Sequence, residues 1–140
     1  MQIFLPVPDF AETAKILDKK RLFKQLVECR QVLATMGECI VKNDGSPMKS
    51  SHIHHPIHRM WKGFAMCLRS YHNSILTECL FRGIKTTIEY LDCPYSCDYP
   101  RWFGYTEFHA SHRSNLLRKN FEYYSQFGWD EPDNLEYIWY

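Results

Sequence analysis

The chain has 140 residues, of which 45% are hydrophobic and 24% charged, with a formal net charge of +1. That length supports one domain with a core of its own, and the near-neutral balance excludes a protein that coats nucleic acid through bulk positive charge. No apolar run approaches the ~20 residues of a membrane-spanning helix, and residues 1–10 lack the form of a secretory leader, so the expected setting is intracellular and reducing, cytoplasmic or nuclear.

The first predicted element follows "FLPVPDFAETAKIL", where Asp9 and Glu12 form a capping box that starts a helix at about Phe10. A break near Asp18 separates it from a helix over 21–36 that stops at Gly37. In that helix Leu22, Leu26, Cys29 and Leu33 share one stripe, and Arg21, Lys24, Gln25, Glu28 and Gln31 share the opposite face. Turn chemistry at 42–51, "KNDGSPMKSS", predicts a loop. Pro56 then opens the longest periodic segment, in which Ile57, Met60, Trp61, Phe64, Cys67, Leu68, Tyr71 and Ile75 keep helical spacing up to Arg82-Gly83. As one helix it would be roughly 40 Å long. Residues 84–105 read as irregular, with "TTIEYL" a short strand or turn, and helical spacing returns in "HASHRSNLLRKNFEYYSQFG". There Ser111 is the expected N-cap, Leu117, Phe121 and Tyr124 the apolar stripe, and Gly128 the stop. The expectation is an all-α fold, a compact single domain over 1–140 with three to four helices and long irregular loops.

Charge is distributed unevenly. Lys15, Lys19, Lys20, Arg21, Lys24 and Arg30 crowd one segment, His109, His112, Arg113, Arg118 and Lys119 another, and 122–136 is acidic. A single carboxylate, Glu28, therefore sits among bases. It reads either as an exposed partner of Lys24 at i, i+4, worth ~0.3–0.5 kcal/mol, or as the one acid that a phosphodiester-binding face keeps for chemistry. Spacing permits both.

His54 and His58 at i, i+4 and His109 and His112 at i, i+3 have metal-compatible spacing, but Pro56 places a helix start between the first pair. Neither a metal nor another cofactor is expected. The commoner role is anion binding at a helix N-terminus, which "HASHRS" suits. The six cysteines are scattered, and Cys93 and Cys97 form a lone C-x₃-C pair without the second pair a zinc site needs. Tyr123, Trp129, Tyr137 and Trp139 exceed what one buried stripe can hold, and surplus rings suit stacking on exposed bases. A serine nucleophile, a phosphate-cradling glycine loop and a dinucleotide fingerprint are absent from the sequence.

The order "LDKKRLFKQLVE", "HPIHRMW…ECLFRG", "HASHRSNLLRKNFEYY…GW…YIWY" resembles the pyrimidine-dimer DNA glycosylase/AP lyase family, of the phage endonuclease V type, over nearly the whole chain. The match is closest to the branch with the motifs RLxKQxxE, HPxxRMW and HxSHRSNLLRK. The resemblance implies an all-helical domain that attacks the sugar C1′ with an α-amino group, forms a Schiff base, and uses a helix-borne glutamate in the glycosylase and β-elimination steps. Glu28 matches that glutamate. Gln2 disfavours removal of the initiator, so Met1 would supply the amine, with Lys24 the alternative. An α-amino group titrates near 7.7–8.0, so a useful fraction is unprotonated at neutral pH. Val27 and Gln31 stand where the family carries arginines. The DNA-binding set is then expected to be Arg21, Gln25, Arg30, His55, His58, Arg59, His109, His112, Arg113 and Lys119. The implied partner is double-stranded DNA with a damaged or modified base, bound by a monomer. The alternatives are a non-catalytic nucleic-acid binding module on the same scaffold and a metal-dependent enzyme built on the histidines.

Overall fold

The computed structural model describes residues 1–94 and 98–140. They form α1 (Phe10–Ile16), α2 (Lys19–Thr35), α3 (Pro56–Trp61), α4 (Ala65–Phe81), α5 (Thr106–Lys119) and α6 (Phe121–Tyr124), followed by a 3₁₀ turn at Ser125–Phe127. Among the described residues there is no strand, only an isolated bridge between Val41 and Pro47, so the fold is all-α.

Local chemistry explains the first two helices. The Asp9 side chain accepts from Glu12 N–H at 2.8 Å and caps α1. Leu17 and Asp18 are extended, with ψ of 137° and 156°, which makes the break before α2. That helix buries Leu22, Leu26, Cys29, Val32 and Leu33, and it also buries Gln25, which the sequence pattern places on the wet face.

The single long helix expected from Pro56 to Arg82 is two. Gly63 has φ +85°, a left-handed conformation that costs an L side chain about 1–2 kcal/mol, and the chain turns there between α3 and α4. Apolar spacing runs through the turn because both helices bury one side against the same core, Ile57, Met60 and Trp61 from α3 and Cys67, Leu68, Tyr71 and Ile75 from α4. Helix α4 packs on both α1 and α2. Its Asn73 holds the passing chain like a strand edge, donating to Leu91 C=O at 2.8 Å and accepting from Leu91 N–H at 2.9 Å. This side chain supplies the order that a "TTIEYL" strand would have given.

The last long helix starts earlier than expected. Tyr105 precedes its first turn, and Ser111 lies inside it with the hydroxyl donating to Phe108 C=O at 2.7 Å. It ends at Asn120, whose side chain caps α6, so Phe121 falls off the apolar stripe and is 63% exposed. Polar residues dominate its buried side: His109, Ser111, His112, Ser114 and Asn115. Of these, His109, His112, Ser114 and Asn115 bond to two non-helical segments that lie against α5. The 131–135 stretch is held by Arg113 on Glu131, by the Ser114 hydroxyl donating to Pro132 C=O and accepting from Leu135 N–H, and by Asn115 donating to Leu135 C=O. The other segment is the beginning of the chain. Cys29, Cys67 and Cys79 are core residues, whereas Cys97 of the C-x₃-C pair lies outside the described residues. No described helix is long and apolar enough to cross a membrane.

Candidate active site

Residues 2–5, outside any helix, run through the core, and Gln2, Ile3, Phe4 and Leu5 are all buried. A buried backbone without a sheet partner must find its hydrogen bonds elsewhere, since each unpaired group costs about 1–3 kcal/mol. Side chains of three helices provide them. From α2, Gln25 donates to Gln2 C=O at 3.0 Å and accepts from Phe4 N–H at 3.0 Å. From α4, the Tyr71 hydroxyl lies 2.7 Å from Phe4 C=O. From α5, Leu5 N–H donates to His112 Nδ1 at 2.9 Å, His109 Nδ1 donates to Leu5 C=O at 2.7 Å, and Arg113 donates to Pro6 C=O at 2.7 Å.

These bonds set the histidine tautomers. His109 Nε2 accepts from Gly104 N–H at 3.0 Å, so its proton sits on Nδ1. His112 accepts at Nδ1, so its proton sits on Nε2. Both rings are neutral: burial lowers His109, and burial with the neighbouring His109 lowers His112 to about 3.

This segment delivers Met1 to a cavity of about 210 Å³ over the N-terminal half of α2. Lys20, Arg21, Lys24 and Lys119 bring positive charge to its walls, Glu28 is the one carboxylate among the described residues that line it, and Gln2, Phe4, Gln25 and Tyr137 complete it. Glu28 is no ordinary surface acid, its side chain being 13% exposed. Its Oε2 accepts from Gln25 Nε2 at 3.0 Å and from the Gln2 N–H at 3.3 Å. Its Oε1 has a looser partner, the 66% exposed Lys24 ammonium at 3.7 Å. One oxygen is thus committed to the scaffold, and the other meets only a solvated charge that a ligand could displace. The amine of Met1 is one residue from that Gln2 N–H, which by covalent geometry puts it within roughly 7 Å of the carboxylate.

The surrounding cations differ in rigidity. Arg21 Nη1 donates to both oxygens of Asp18, at 3.3 and 3.2 Å, and Asp18 is fixed by the buried Tyr124 hydroxyl, which donates to Oδ1 and accepts the Asp18 N–H at 3.1 Å. Lys119 reports the crowding of charge: burial, then Arg21, Lys24 and Arg118, lower its amine below the usual lysine range. Burial pushes the Tyr137 phenol up to about 12, so it stays protonated, and its hydroxyl has no hydrogen-bond partner among the described residues.

The cavity therefore brings together Met1, Arg21, Lys24, Gln25, Glu28 and Lys119 from the expected set. Other residues of that set lie elsewhere. Gln25 lines the cavity yet is 0% exposed, with its carboxamide bonded inside the protein, so it is not placed to touch DNA. His109 is the fourth residue of α5 and His112 lies a turn further in, and the Nδ1 atoms of both serve the Leu5 backbone; Arg113 is taken by Pro6 and Glu131. The anion expected at "HASHRS" is replaced by the protein's own main chain. Arg30, about 200° around the helix from Glu28, donates to Val41 C=O at 2.9 Å on another face. His58 and Arg59 line a separate cavity of about 460 Å³ with Met36, Ile53 and Lys62, and Arg59 donates to Tyr140 C=O at 3.0 Å. His55 caps α3 by accepting Ile57 N–H at 3.1 Å, and after burial the charge of the amino terminus is the next cause lowering it, which places it near Met1.

Lys20 and Tyr137 were not among the expected site residues. The N-terminal charge cluster contains Lys20 and the surplus of aromatic residues contains Tyr137, but nothing local places either over Glu28.

An all-helical chain that threads its first residues through its core, and sets an amine and a half-hidden acid inside a ring of cations, has the build of an anion-facing site. A family model for pyrimidine dimer DNA glycosylase matches residues 1–92, and the chain belongs to that family. The matched stretch holds Met1, Lys20, Arg21, Lys24, Gln25 and Glu28 and ends before α5, and membership implies DNA as the partner. No curated protein and no solved structure matches the chain.

Proposed function

We propose that this chain is a DNA glycosylase with AP lyase activity, acting on a damaged or modified pyrimidine in double-stranded DNA, with the Met1 α-amine as nucleophile and Glu28 as its acid–base partner. The observation that carries the reading is the Glu28 carboxylate bonded to the first peptide N–H of the chain, at 3.3 Å, inside a ring of four cations, Lys20, Arg21, Lys24 and Lys119. Cations of this kind hold the phosphates on either side of one sugar. The neutral amine attacks C1′, the bond from C1′ to the pyrimidine breaks, and the base leaves with the proton that the attacking amine gives up. Glu28 Oε1 stabilises positive charge developing on the sugar. Opening of the ring gives an imine between the amine and C1′. The carboxylate then takes a C2′ proton, the 3′ phosphate is expelled by β-elimination, and water releases the enzyme. Lys24, exposed and ion-paired to Glu28, supplies charge to this scheme and not the nucleophile.

The test is borohydride reduction during incubation with abasic or dimer-containing duplex. A covalent adduct is expected, mapped by mass spectrometry to the Met1 peptide, formed about 10²-fold more slowly in Glu28→Gln. If no duplex is cut or trapped, the proposal fails. Salt-sensitive binding without any product would then leave a nucleic-acid binding module.

A further inference from the structure

The carboxamide of Gln25 uses its full hydrogen-bonding capacity within the protein. Its two N–H groups go to Gln2 C=O and Glu28 Oε2, each at 3.0 Å, and its oxygen accepts Phe4 N–H at 3.0 Å and faces the Tyr71 hydroxyl at 2.8 Å. Tyr71 shares one proton between that oxygen and Phe4 C=O, and burial keeps its phenol protonated. Turning the amide over would set its oxygen against a carboxylate and a carbonyl, and its NH₂ against an N–H. Only one orientation is stable.

We infer that Gln25, held by Tyr71, is a positioning residue that locks the amine-bearing N-terminal segment and the Glu28 carboxylate into one register, committing Oε2 to the scaffold and leaving Oε1 for the reacting sugar. The inference rests on the catalytic reading above. Gln25 is fully buried, so it contributes through Glu28 and the N-terminal segment and not through DNA. Among the described residues no other side chain bonds both the Gln2 carbonyl beside Met1 and the carboxylate. A reaction whose two groups must meet at one carbon is sensitive to such register, because displacement of about 1 Å can cost 10²-fold in rate.

The experiment uses the full chain and three variants, Gln25→Met, Gln25→Glu and Tyr71→Phe, with an abasic-site duplex under single-turnover borohydride trapping. Gln25→Met keeps the volume and loses the donors. Gln25→Glu keeps the shape and opposes Glu28 with a second carboxylate. Both are expected to trap about 10- to 100-fold more slowly with duplex affinity within about twofold of the parent, and Tyr71→Phe is expected to fall between them and the parent. A second readout needs no DNA: amide exchange at Gln2 and Phe4 should accelerate at least tenfold in Gln25→Met, with core amides of α4 unchanged. Trapping at the parent rate in a folded Gln25 variant, or a loss that lies wholly in duplex affinity, overturns the inference. Should the Gln25 variants fail to fold, Tyr71→Phe decides by the same two readouts. If the parent traps nothing, the catalytic reading fails, while unchanged exchange at Gln2 and Phe4 would separately refute the lock.

Discussion

Acid should unfold this protein through its neutral histidines, above the range where carboxylates usually decide. His112 is held at about 3 and His72 at about 4, against an ordinary 6.5, in both cases chiefly by burial. A histidine lowered in the folded state contributes its full stability above pH 6.5 and loses it as the pH falls toward the folded value, because the unfolded chain takes up the proton first. At 1.36 kcal/mol per unit, His112 is worth about 5 kcal/mol and His72 about 3 kcal/mol. Between pH 6 and 4.5 the two together give a slope of about 2.7 kcal/mol per pH unit. A domain has about 5–15 kcal/mol in all, so the fold should fail near pH 4–5. Urea unfolding at half-unit steps from pH 7.5 to 4.5 measures the slope, and His112→Asn, whose amide oxygen still accepts the Leu5 N–H, should roughly halve it. A flat profile over that window, or a slope that His112→Asn leaves unchanged, refutes the assignment of His112 as a buried neutral acceptor for the N-terminal segment.

Lys119→Gln and Lys20→Gln should each reduce the slope of log K against log salt for duplex binding by about 0.9, with Arg30→Gln leaving it unchanged, as measured by fluorescence anisotropy from 50 to 200 mM salt. Gly63→Ala should destabilise by about 1 kcal/mol, because its φ of +85° is the turn between α3 and α4, and a lowered urea midpoint would show it. Asp9→Ala should cost about 1 kcal/mol through loss of the α1 cap, with trapping activity retained at temperatures where the variant is folded.

Elements set by neighbouring residues were legible in the sequence. The Asp9 cap, the break at Asp18 and the α2 stripe each follow from contacts within a turn or two of helix. The turn at Gly63 was hidden because α3 and α4 bury one side against a common core, so hydrophobic spacing carries through a change of direction. Helix α5 misled for a different reason: its polar residues point inward to satisfy the backbone of another segment, which reverses the usual reading of polar as wet. The same reversal moved His109, His112 and Arg113 from an expected phosphate site to the backbone of Leu5 and Pro6, and moved Gln25 from the surface to the centre. Glu28 stood out as a lone acid among bases, and the structure gathers Met1, Arg21, Lys24 and Lys119 around it. Tyr137 could not be placed from its surroundings in sequence, because the segment that carries it has no periodicity and is positioned by Arg113, Ser114 and Asn115.

The bond from Leu5 to His112 joins residues 107 positions apart. On the ribosome the opening peptide is synthesised first and must wait, greasy and unpaired, until α5 has emerged. At 5–20 residues per second that interval is roughly 5–20 s. Until His109, His112 and Arg113 have been made, the Leu5 and Pro6 backbone lacks every partner that α5 supplies, so the buried N-terminal segment is secured late in translation.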